Sequence, residues 1–283
     1  MLQCITPRAD PDEEYPLNDN DSILLVIDDS IATVTLNRPQ ALNALGPAMS
    51  EKLREITEYL ETDQAVRAVV LRGAGEHFMA GGDIKWFQAQ LGNAPETCRH
   101  SLERIIGEVN ASVIRLRRMA KPVIASVHGA VVGFGLSLMS ACDLAIAADN
   151  AYFSLAYTRI GATPDGGATY ALPRSVGVKH AMEIALFGDQ FDARRALEIG
   201  LINRIVPLAE LAEETRLVAA RLAAGPTAAY GRTKRLINQS FDHSLTEQLL
   251  AEQDSFADIT ATRDYAEGIN AFIAKRKPKF IGS

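Results

Sequence analysis

The stretch Phe78-Met79-Ala80-Gly81-Gly82-Asp83-Ile84 decides the fold of this chain, together with Gly133-Phe134-Gly135-Leu136-Ser137-Leu138 further along it. Each segment is a turn of small residues that follows an apolar strand and precedes a helix. Glycine leaves backbone N–H groups unshielded, and two such turns aimed at one point form an oxyanion hole. The pattern therefore predicts chemistry on a carbonyl group whose oxygen gains negative charge, although either turn alone also fits a purely structural role.

The composition is that of an ordinary globular protein. Of 283 residues, 47% are hydrophobic and 23% charged, and the formal net charge is −6. This acidic balance argues against nucleic acid as a partner, because proteins that bind nucleic acid generally present a basic face. No apolar run has the length of a membrane span, and the start of the chain carries no secretion or transit signal. Cysteines occur only at three distant positions, Cys4, Cys98 and Cys142, without metal-like spacing. We therefore expect a cytoplasmic protein with no disulfide, no metal site and no membrane partner.

The order of strand and helix patterns predicts an α/β fold. Residues 1–22 are acidic and poor in apolar side chains, which predicts a mobile arm. Residues 23–207 alternate short apolar strands with helices, which indicates an α/β core with parallel strand pairing. Residues 208–283 show only helical patterns, and we expect a lid or an assembly surface there. The predicted strands are 23–27, 31–36, 68–72, 122–127, 144–147, 152–154 and 202–206. The predicted helices are 47–60, 97–119, 134–140, 167–175, 177–187, 192–199, 208–223, 226–240, 244–260 and 262–274.

Several motifs in a fixed order resemble those of the crotonase, or enoyl-CoA hydratase/isomerase, superfamily. They are Asn37-Arg38-Pro39-Gln40-Ala41-Leu42-Asn43, the two glycine turns, Lys121 to Gly129, Pro164-Asp165-Gly166-Gly167, Gly200-Leu201-Ile202-Asn203 and the basic tail Lys275 to Phe280. The resemblance implies a spiral of ββα units with a helical C-terminal region, assembled as a trimer or a dimer of trimers. It also implies an acyl-CoA thioester as substrate, with no cofactor beyond the coenzyme A that the substrate carries.

The same resemblance assigns residues to an acyl-CoA site. The matching oxyanion donors are the backbone N–H groups of Ala80 and Phe134. Main-chain groups that would line the coenzyme A site belong to Ala80, Gly81, Gly82, Asp83 and Ile84. Trp86 and Tyr157 are expected in the acyl pocket, and Lys279 at the phosphates of coenzyme A. A core position for the two aromatic residues and a solvated position for the lysine are the open alternatives.

The acid–base residue is the point at which this sequence departs from the hydratases of the superfamily. Those hydratases resemble one another in using two glutamates, and the matching positions here hold Ser137 and Tyr157. Neither residue is a carboxylate base. The leading candidate is therefore Asp165, in a loop where isomerases of the superfamily carry a single acidic residue. One carboxylate is sufficient to take a proton from one carbon of an enoyl chain and return it two carbons away. Its alternative role is to cap the helix that follows.

We therefore expect an enoyl-CoA isomerase in which Asp165 shuttles the proton. Three alternatives stay open at this point. Asp165 could activate water in a hydratase or serve as nucleophile in a hydrolase of the aryl-CoA dehalogenase type, or the protein could bind acyl-CoA without catalysis. Asp83 and Asp143 are expected to be structural, as a helix cap and a buried hydrogen-bond partner. The sequence does not identify the acyl group.

Overall fold

The computed structural model describes residues 22–283, so the predicted mobile arm lies outside the described residues except for Ser22. The strands are β1 (Ile23–Asp28), β2 (Ile31–Leu36), β3 (Ala68–Gly73), β4 (Met79–Ala80), β5 (Val123–Val127), β6 (Ala130–Val132), β7 (Leu144–Ala148), β8 (Tyr152–Ser154), β9 (Phe191–Asp192) and β10 (Arg204–Val206). The α-helices are α1 (Pro47–Thr62), α2 (Ile84–Gln90), α3 (Pro95–Arg118), α4 (Phe134–Ser140), α5 (Ala168–Phe187), α6 (Ala193–Glu198), α7 (Leu211–Ala223), α8 (Thr227–Gln239), α9 (Leu245–Ile259) and α10 (Arg263–Ile273).

The strands form two sheets. The six-stranded sheet has the order β1-β2-β3-β5-β7-β10 and is parallel apart from the hairpin between β1 and β2. The four-stranded sheet has the order β4-β6-β8-β9, in which only β9 is antiparallel to its neighbour. Successive pairs β3–β4, β5–β6 and β7–β8 each give one strand to each sheet before a helix follows. This confirms the predicted α/β spiral of ββα units, with a helical C-terminal region after it.

Apolar side chains from both sheets meet in one core. Phe78, Leu36 and Phe153 are fully buried there, together with one face of α1 and of α3. A second apolar cluster covers the opposite face of the six-stranded sheet, where Leu211 and Ala219 of α7 pack on its central strands. Burial at roughly 25 cal/mol per Å² makes this apolar contact the main force that holds the layers together.

The sequence patterns missed several short elements. The strands β4, β6 and β9 and the helix α2 were not predicted, whereas β8 and α6, which are equally short, were. Elements of two to seven residues show little hydrophobic period, so their prediction depended on flanking turn and capping signals. The two helices predicted on either side of residue 176 are both present within α5, which is broken by a kink with non-helical backbone at Gly177. At that residue φ is 76°, a region that favours glycine.

Helix α8 is fixed to the core by an ion pair. Lys234 donates to Asp143 at 2.7 Å and to the carbonyl of Leu116, also at 2.7 Å. Asp143 also accepts the backbone N–H of Val123 at 2.8 Å, which confirms the predicted structural role as a hydrogen-bond partner, but its side chain is 25% exposed and not buried. Helices α9 and α10, by contrast, expose large apolar side chains, among them Leu245, Leu249, Leu250, Phe256, Phe272 and Ile273. Within residues 22–283 no helix has the length and hydropathy needed to cross a bilayer.

Candidate active site

The two glycine turns lie side by side at the end of two paired strands. Strands β4 and β6 are parallel, with Ala80 opposite Val132, so the turns that follow them leave the sheet at the same edge. A Cβ built on Gly81 would lie 3.9 Å from the backbone nitrogen of Phe134. A Cβ built on Gly133 would lie 3.3 Å from the Cα of Gly81. Glycine at both positions therefore permits the close approach of the two backbones.

The backbone N–H groups of the turns are not all free. That of Ala80 donates to the carbonyl of Leu42 at 3.0 Å, so it is already occupied within the fold. This corrects the sequence-based assignment of Ala80 as an oxyanion donor. Within residues 22–283, the N–H groups of Gly82 and Phe134 have no such acceptor. Phe134 is also the first residue of α4, where the helix dipole favours negative charge.

Asn43 of the first motif fixes the loop that leads into β4. Its side chain is fully buried, and its amide nitrogen lies 2.9 Å from the carbonyl of Ala74 and 2.8 Å from that of His77. Its amide oxygen accepts the backbone N–H of Arg38 at 2.8 Å. Sequence reasoning quoted this residue but gave it no role. The residue type in a turn before a helix could have indicated this role, because asparagine tolerates left-handed backbone, and φ of Asn43 is indeed 55°.

Asp83 is a structural residue of the first turn. Its carboxylate accepts the backbone N–H of Trp86 at 3.2 Å, which confirms the predicted helix cap. It also pairs with Arg38 at 2.9 Å, and this hydrogen bond lowers the pKa of Asp83. Arg38 in turn donates to the carbonyl of Ala44 at 2.6 Å. The first motif and the first glycine turn are thus joined by side chains, and the backbone N–H of Asp83 also donates within the fold, to the carbonyl of Leu45 at 2.8 Å.

The structure brings Ser137, Tyr157 and Asp165 together. The hydroxyl of Tyr157 donates to Oδ1 of Asp165 at 2.5 Å, and the hydroxyl oxygen of Ser137 lies 3.3 Å from that of Tyr157. Burial raises the pKa of Asp165 above its ordinary value, and the hydrogen bond from Tyr157 opposes part of this rise. Burial and then the charge of Asp165 raise the pKa of Tyr157, so the phenol keeps its proton and acts as the donor.

Asp165 is not the cap of the helix that follows it. The residue in the capping position of α5 is Gly167, and no side chain caps that end. The ring of Phe134 packs on the next residue, because a Cβ built on Gly166 would lie 2.5 Å from the ring's Cε2. Gly166 also has φ of 58°, which a residue with a side chain rarely adopts. The phenylalanine ring therefore supports the loop that carries the acid, while its backbone N–H stays available.

Comparison with known proteins matches these features to one family. Residues 26–283 match the family model described as enoyl-CoA hydratase/isomerase. This chain belongs to that family. It is 38% identical over 261 residues to the 1,2-epoxyphenylacetyl-CoA isomerase of Escherichia coli K12, with 92% of this chain and 98% of that protein covered.

Other members of the enoyl-CoA hydratase/isomerase family carry hydratase names. The chain is 34% identical over 263 residues to the crotonyl-CoA hydratase of Syntrophomonas wolfei, with 92% of this chain and 98% of that one covered. The crystal structure of an enoyl-CoA hydratase from Polaromonas sp. JS666 superposes with a TM-score of 0.85 at 34% identity, covering 91% of this chain and 99% of the other. The family is thus established, while its members' names include both isomerases and hydratases.

Of the remaining residues predicted for this family's acyl-CoA site, Trp86 and Ile84 follow the first turn and Lys279 lies elsewhere. Trp86 is half-buried against Phe87, with ring centroids 5.5 Å apart, and Ile84 is exposed at the start of α2. Lys279 is exposed on the C-terminal tail, where its backbone N–H donates to Glu267 at 2.7 Å. No contact within residues 22–283 joins its side chain to the turns. Its role at coenzyme A stays a prediction.

A cavity of about 800 Å³ lies next to the residue that follows Asp165. It is bounded by α3, α8 and the start of α5, and its lining includes Val113, Gly166 and Gly167. A larger cavity of about 1160 Å³ lies between the six-stranded sheet and α7, and none of the predicted site residues lines it. None of the predicted site residues lines the first cavity either, but it reaches Gly166, which directly follows Asp165, and it is therefore the nearer of the two to the proposed acid.

Proposed function

We propose that this protein is an enoyl-CoA isomerase that shifts a double bond with Asp165 as its only proton carrier. The observation that carries the proposal is the neutral character of the groups around that carboxylate. Ser137 and Tyr157, at the positions that match the glutamates of hydratases, are both hydrogen-bonded within the site. A carboxylate with a raised pKa and two free backbone donors are the groups that a proton shuttle needs, and the ring of Phe134 packs on Gly166, the residue after the acid.

The backbone donors of Gly82 and Phe134 would hold the thioester oxygen. Proton loss from the acyl chain places negative charge on that oxygen, and donors already fixed in position stabilise it without reorganisation. Losing one such donor typically reduces kcat on the order of 10²- to 10³-fold. Contact between Gly81 and the Phe134 turn supports the convergence of the two groups.

The reaction would then run in two balanced proton transfers. The ionised Asp165 takes a proton from one carbon of the enoyl chain, so that a C–H bond breaks and an O–H bond forms. The electron pair spreads through the chain to the thioester oxygen as a dienolate. The O–H bond of Asp165 then breaks as its proton returns to the carbon two positions away. No oxidant, metal or second substrate enters this balance.

The substrate of the proposed isomerase would be an acyl-CoA thioester. The name of the E. coli relative and the family itself support this substrate class. The main chain from Gly81 to Ile84 would contact the coenzyme A portion, and the 800 Å³ cavity would take the acyl chain. No cofactor other than the coenzyme A of the substrate is needed.

We further propose that the protein assembles from identical subunits, as a trimer or a dimer of trimers. Helices α9 and α10 expose several large apolar side chains, of which Phe272 is 85% exposed. Contiguous apolar patches of this kind mark interaction surfaces, because they are costly to leave in water. Analytical ultracentrifugation of the purified protein would measure the assembly directly, and a single monomeric species would contradict it.

The decisive experiment compares a 3-enoyl-CoA and a 2-enoyl-CoA as substrates. We expect the wild type to convert the 3-enoyl ester to its conjugated isomer and Asp165→Asn to lose this activity while it still binds the ester. The exposed Asp189→Asn is the matched control and should keep full activity.

Formation of a 3-hydroxyacyl-CoA as main product would support a hydratase instead, and a covalent adduct on Asp165 would support the dehalogenase type. Binding without turnover would indicate a non-catalytic protein.

A further inference from the structure

Tyr157 is the most closely engaged partner of the proposed acid. It lies on a 3-10 turn directly after β8 and follows Ala156, whose φ of 50° turns the chain back sharply. The backbone N–H of Tyr157 donates to the carbonyl of Leu155 at 2.7 Å, and its carbonyl accepts from Ala162 at 3.0 Å. The phenol is therefore fixed by its own backbone before it reaches Asp165.

The hydrogen bonds around this phenol have one possible direction. An ionised carboxylate only accepts hydrogen bonds, so the proton of Tyr157 must point to Oδ1 of Asp165. The hydroxyl of Ser137 must then donate to the tyrosine oxygen, which has no further proton to give. Ser137 is fully buried on α4, the helix that begins with the proposed oxyanion donor Phe134. The result is a directed chain from α4 through Tyr157 to the acid.

This chain leaves one carboxylate oxygen for chemistry. Oδ1 of Asp165 is held by the phenol, whereas Oδ2 has no side-chain partner within residues 22–283. A carboxylate held by one oxygen keeps the other at a fixed distance from the bound acyl chain. Positioning of this kind matters because misplacement of a reacting group by about 1 Å can cost 10²-fold in rate.

We infer that Tyr157 is a positioning residue that holds Asp165 by one oxygen and so dedicates the other to proton transfer, with Ser137 orienting the phenol. The inference rests on the proposed function, since it assigns a partner to the same acid. It also explains why neutral residues, Ser137 and Tyr157, occupy the two positions that match the glutamates of hydratases. They form a hydrogen-bonded support for one base, in place of a second carboxylate that would hold a water molecule.

The pH dependence that follows can be given a sign. The groups nearest the two glycines after Asp165 are Val113 of α3 and Phe134 and Ser137 of α4, none of them charged. The charged groups that face this loop across the 800 Å³ cavity are Arg117 and Arg118 of α3 and Arg235 of α8. Tyr157 is the titratable side chain that shifts the pKa of Asp165, and its hydrogen bond lowers that pKa against the larger effect of burial. Removing the phenol hydroxyl should therefore raise the pKa of Asp165 further. Since the reaction needs the ionised form, the acidic limb of the rate profile should move to higher pH.

The test is the substitution Tyr157→Phe in the full chain, measured with a 3-enoyl-CoA across a range of pH. We expect kcat to fall about 10- to 100-fold, KM to change little and the acidic limb of kcat/KM to move to higher pH. Tyr152→Phe is the matched control, because it removes the same hydroxyl from the strand just before and should leave rate and profile unchanged. Ser137→Ala should move the limb in the same direction by a smaller amount.

A second measurement keeps the inference testable without turnover. The carboxyl carbon of Asp165 can be followed by NMR in protein labelled with ¹³C-aspartate, assigned with Asp165→Asn. Its titration midpoint should be higher in Tyr157→Phe, or in Ser137→Ala if the first variant does not fold. An unchanged midpoint together with a wild-type rate profile would overturn the role of Tyr157. If Asp165→Asn stays fully active, the proposed function itself fails, whatever Tyr157 does.

Discussion

Replacing Asn43 by alanine tests whether the first motif holds the first oxyanion turn in place. The side chain of Asn43 is fully buried and ties the turn at Arg38 to the loop before β4 through hydrogen bonds of 2.8, 2.8 and 2.9 Å. The carbonyl of Phe78 lies 3.1 Å from the same amide nitrogen and shares its protons. Alanine would leave the carbonyl groups of this loop and the N–H group of Arg38 without these partners.

The cost can be worked from these contacts. Each buried polar group left unsatisfied costs about 1–3 kcal/mol. Two carbonyl groups and one N–H group lose a partner, and part of the loss is recovered if water enters, so we expect a total of about 3–5 kcal/mol. The φ of 55° adds to this, because alanine tolerates left-handed backbone less well than asparagine does. Such a loss is a large fraction of a stability of about 5–15 kcal/mol.

Urea unfolding and isomerase kinetics measure the two consequences. We expect the urea midpoint of Asn43→Ala to fall with little change in the m value. We also expect kcat/KM to fall more than tenfold, because the turn that carries Gly82 loses its support. The exposed Asn203→Ala is a control on the far side of the core. It loses a single hydrogen bond of 2.8 Å to the N–H of Ala145, so about 1 kcal/mol and no change in kcat are expected. An Asn43→Ala protein with the stability and kcat of wild type would refute the reasoning.

Three further predictions concern the packing of Phe134 at the site and two lysines elsewhere in the fold. Gly166→Ala should reduce activity sharply, because the new Cβ would lie 2.5 Å from the Phe134 ring. The double variant with Phe134→Ala should regain part of the lost activity. Phe134→Ala alone should keep most of kcat, because the proposed donor is the backbone N–H. Steady-state kinetics of the two single variants and the double variant would measure this. Burial lowers the pKa of Lys121 to about 8 from 10.5, so the unfolded chain binds more protons between these values and stability should rise with pH there. The free energy of unfolding of wild type minus that of Lys121→Met, measured by urea unfolding, should rise across this range by on the order of 3 kcal/mol. Lys234→Met should destabilise the fold by about 1–3 kcal/mol, because it removes the hydrogen bonds of Lys234 to Asp143 and to the carbonyl of Leu116, and the double variant with Asp143→Asn should lose less in thermal unfolding.

Much of the fold and part of the site followed from local patterns. Runs of apolar residues long enough to show a strand or helix period indicated the hairpin, the α/β alternation and the C-terminal helices. Asp83 was identified as a helix cap because capping depends on residues three positions apart. Asp165 stood out because two matching positions elsewhere carried no acid.

The sequence by itself indicated the α/β core and the two glycine turns, since each depends on residues close together in the chain. The order of its motifs along the chain pointed to the family and, through that resemblance, to the spiral of ββα units. Only the tertiary structure decided which N–H groups of those turns are free. The acceptor of the Ala80 N–H group is the carbonyl of Leu42, a partner supplied by a distant loop. The structure likewise placed Ser137 and Tyr157 against Asp165, across three separate elements. The physical reason is that hydrogen-bond partners in a buried site are set by how the elements pack, which no local pattern records.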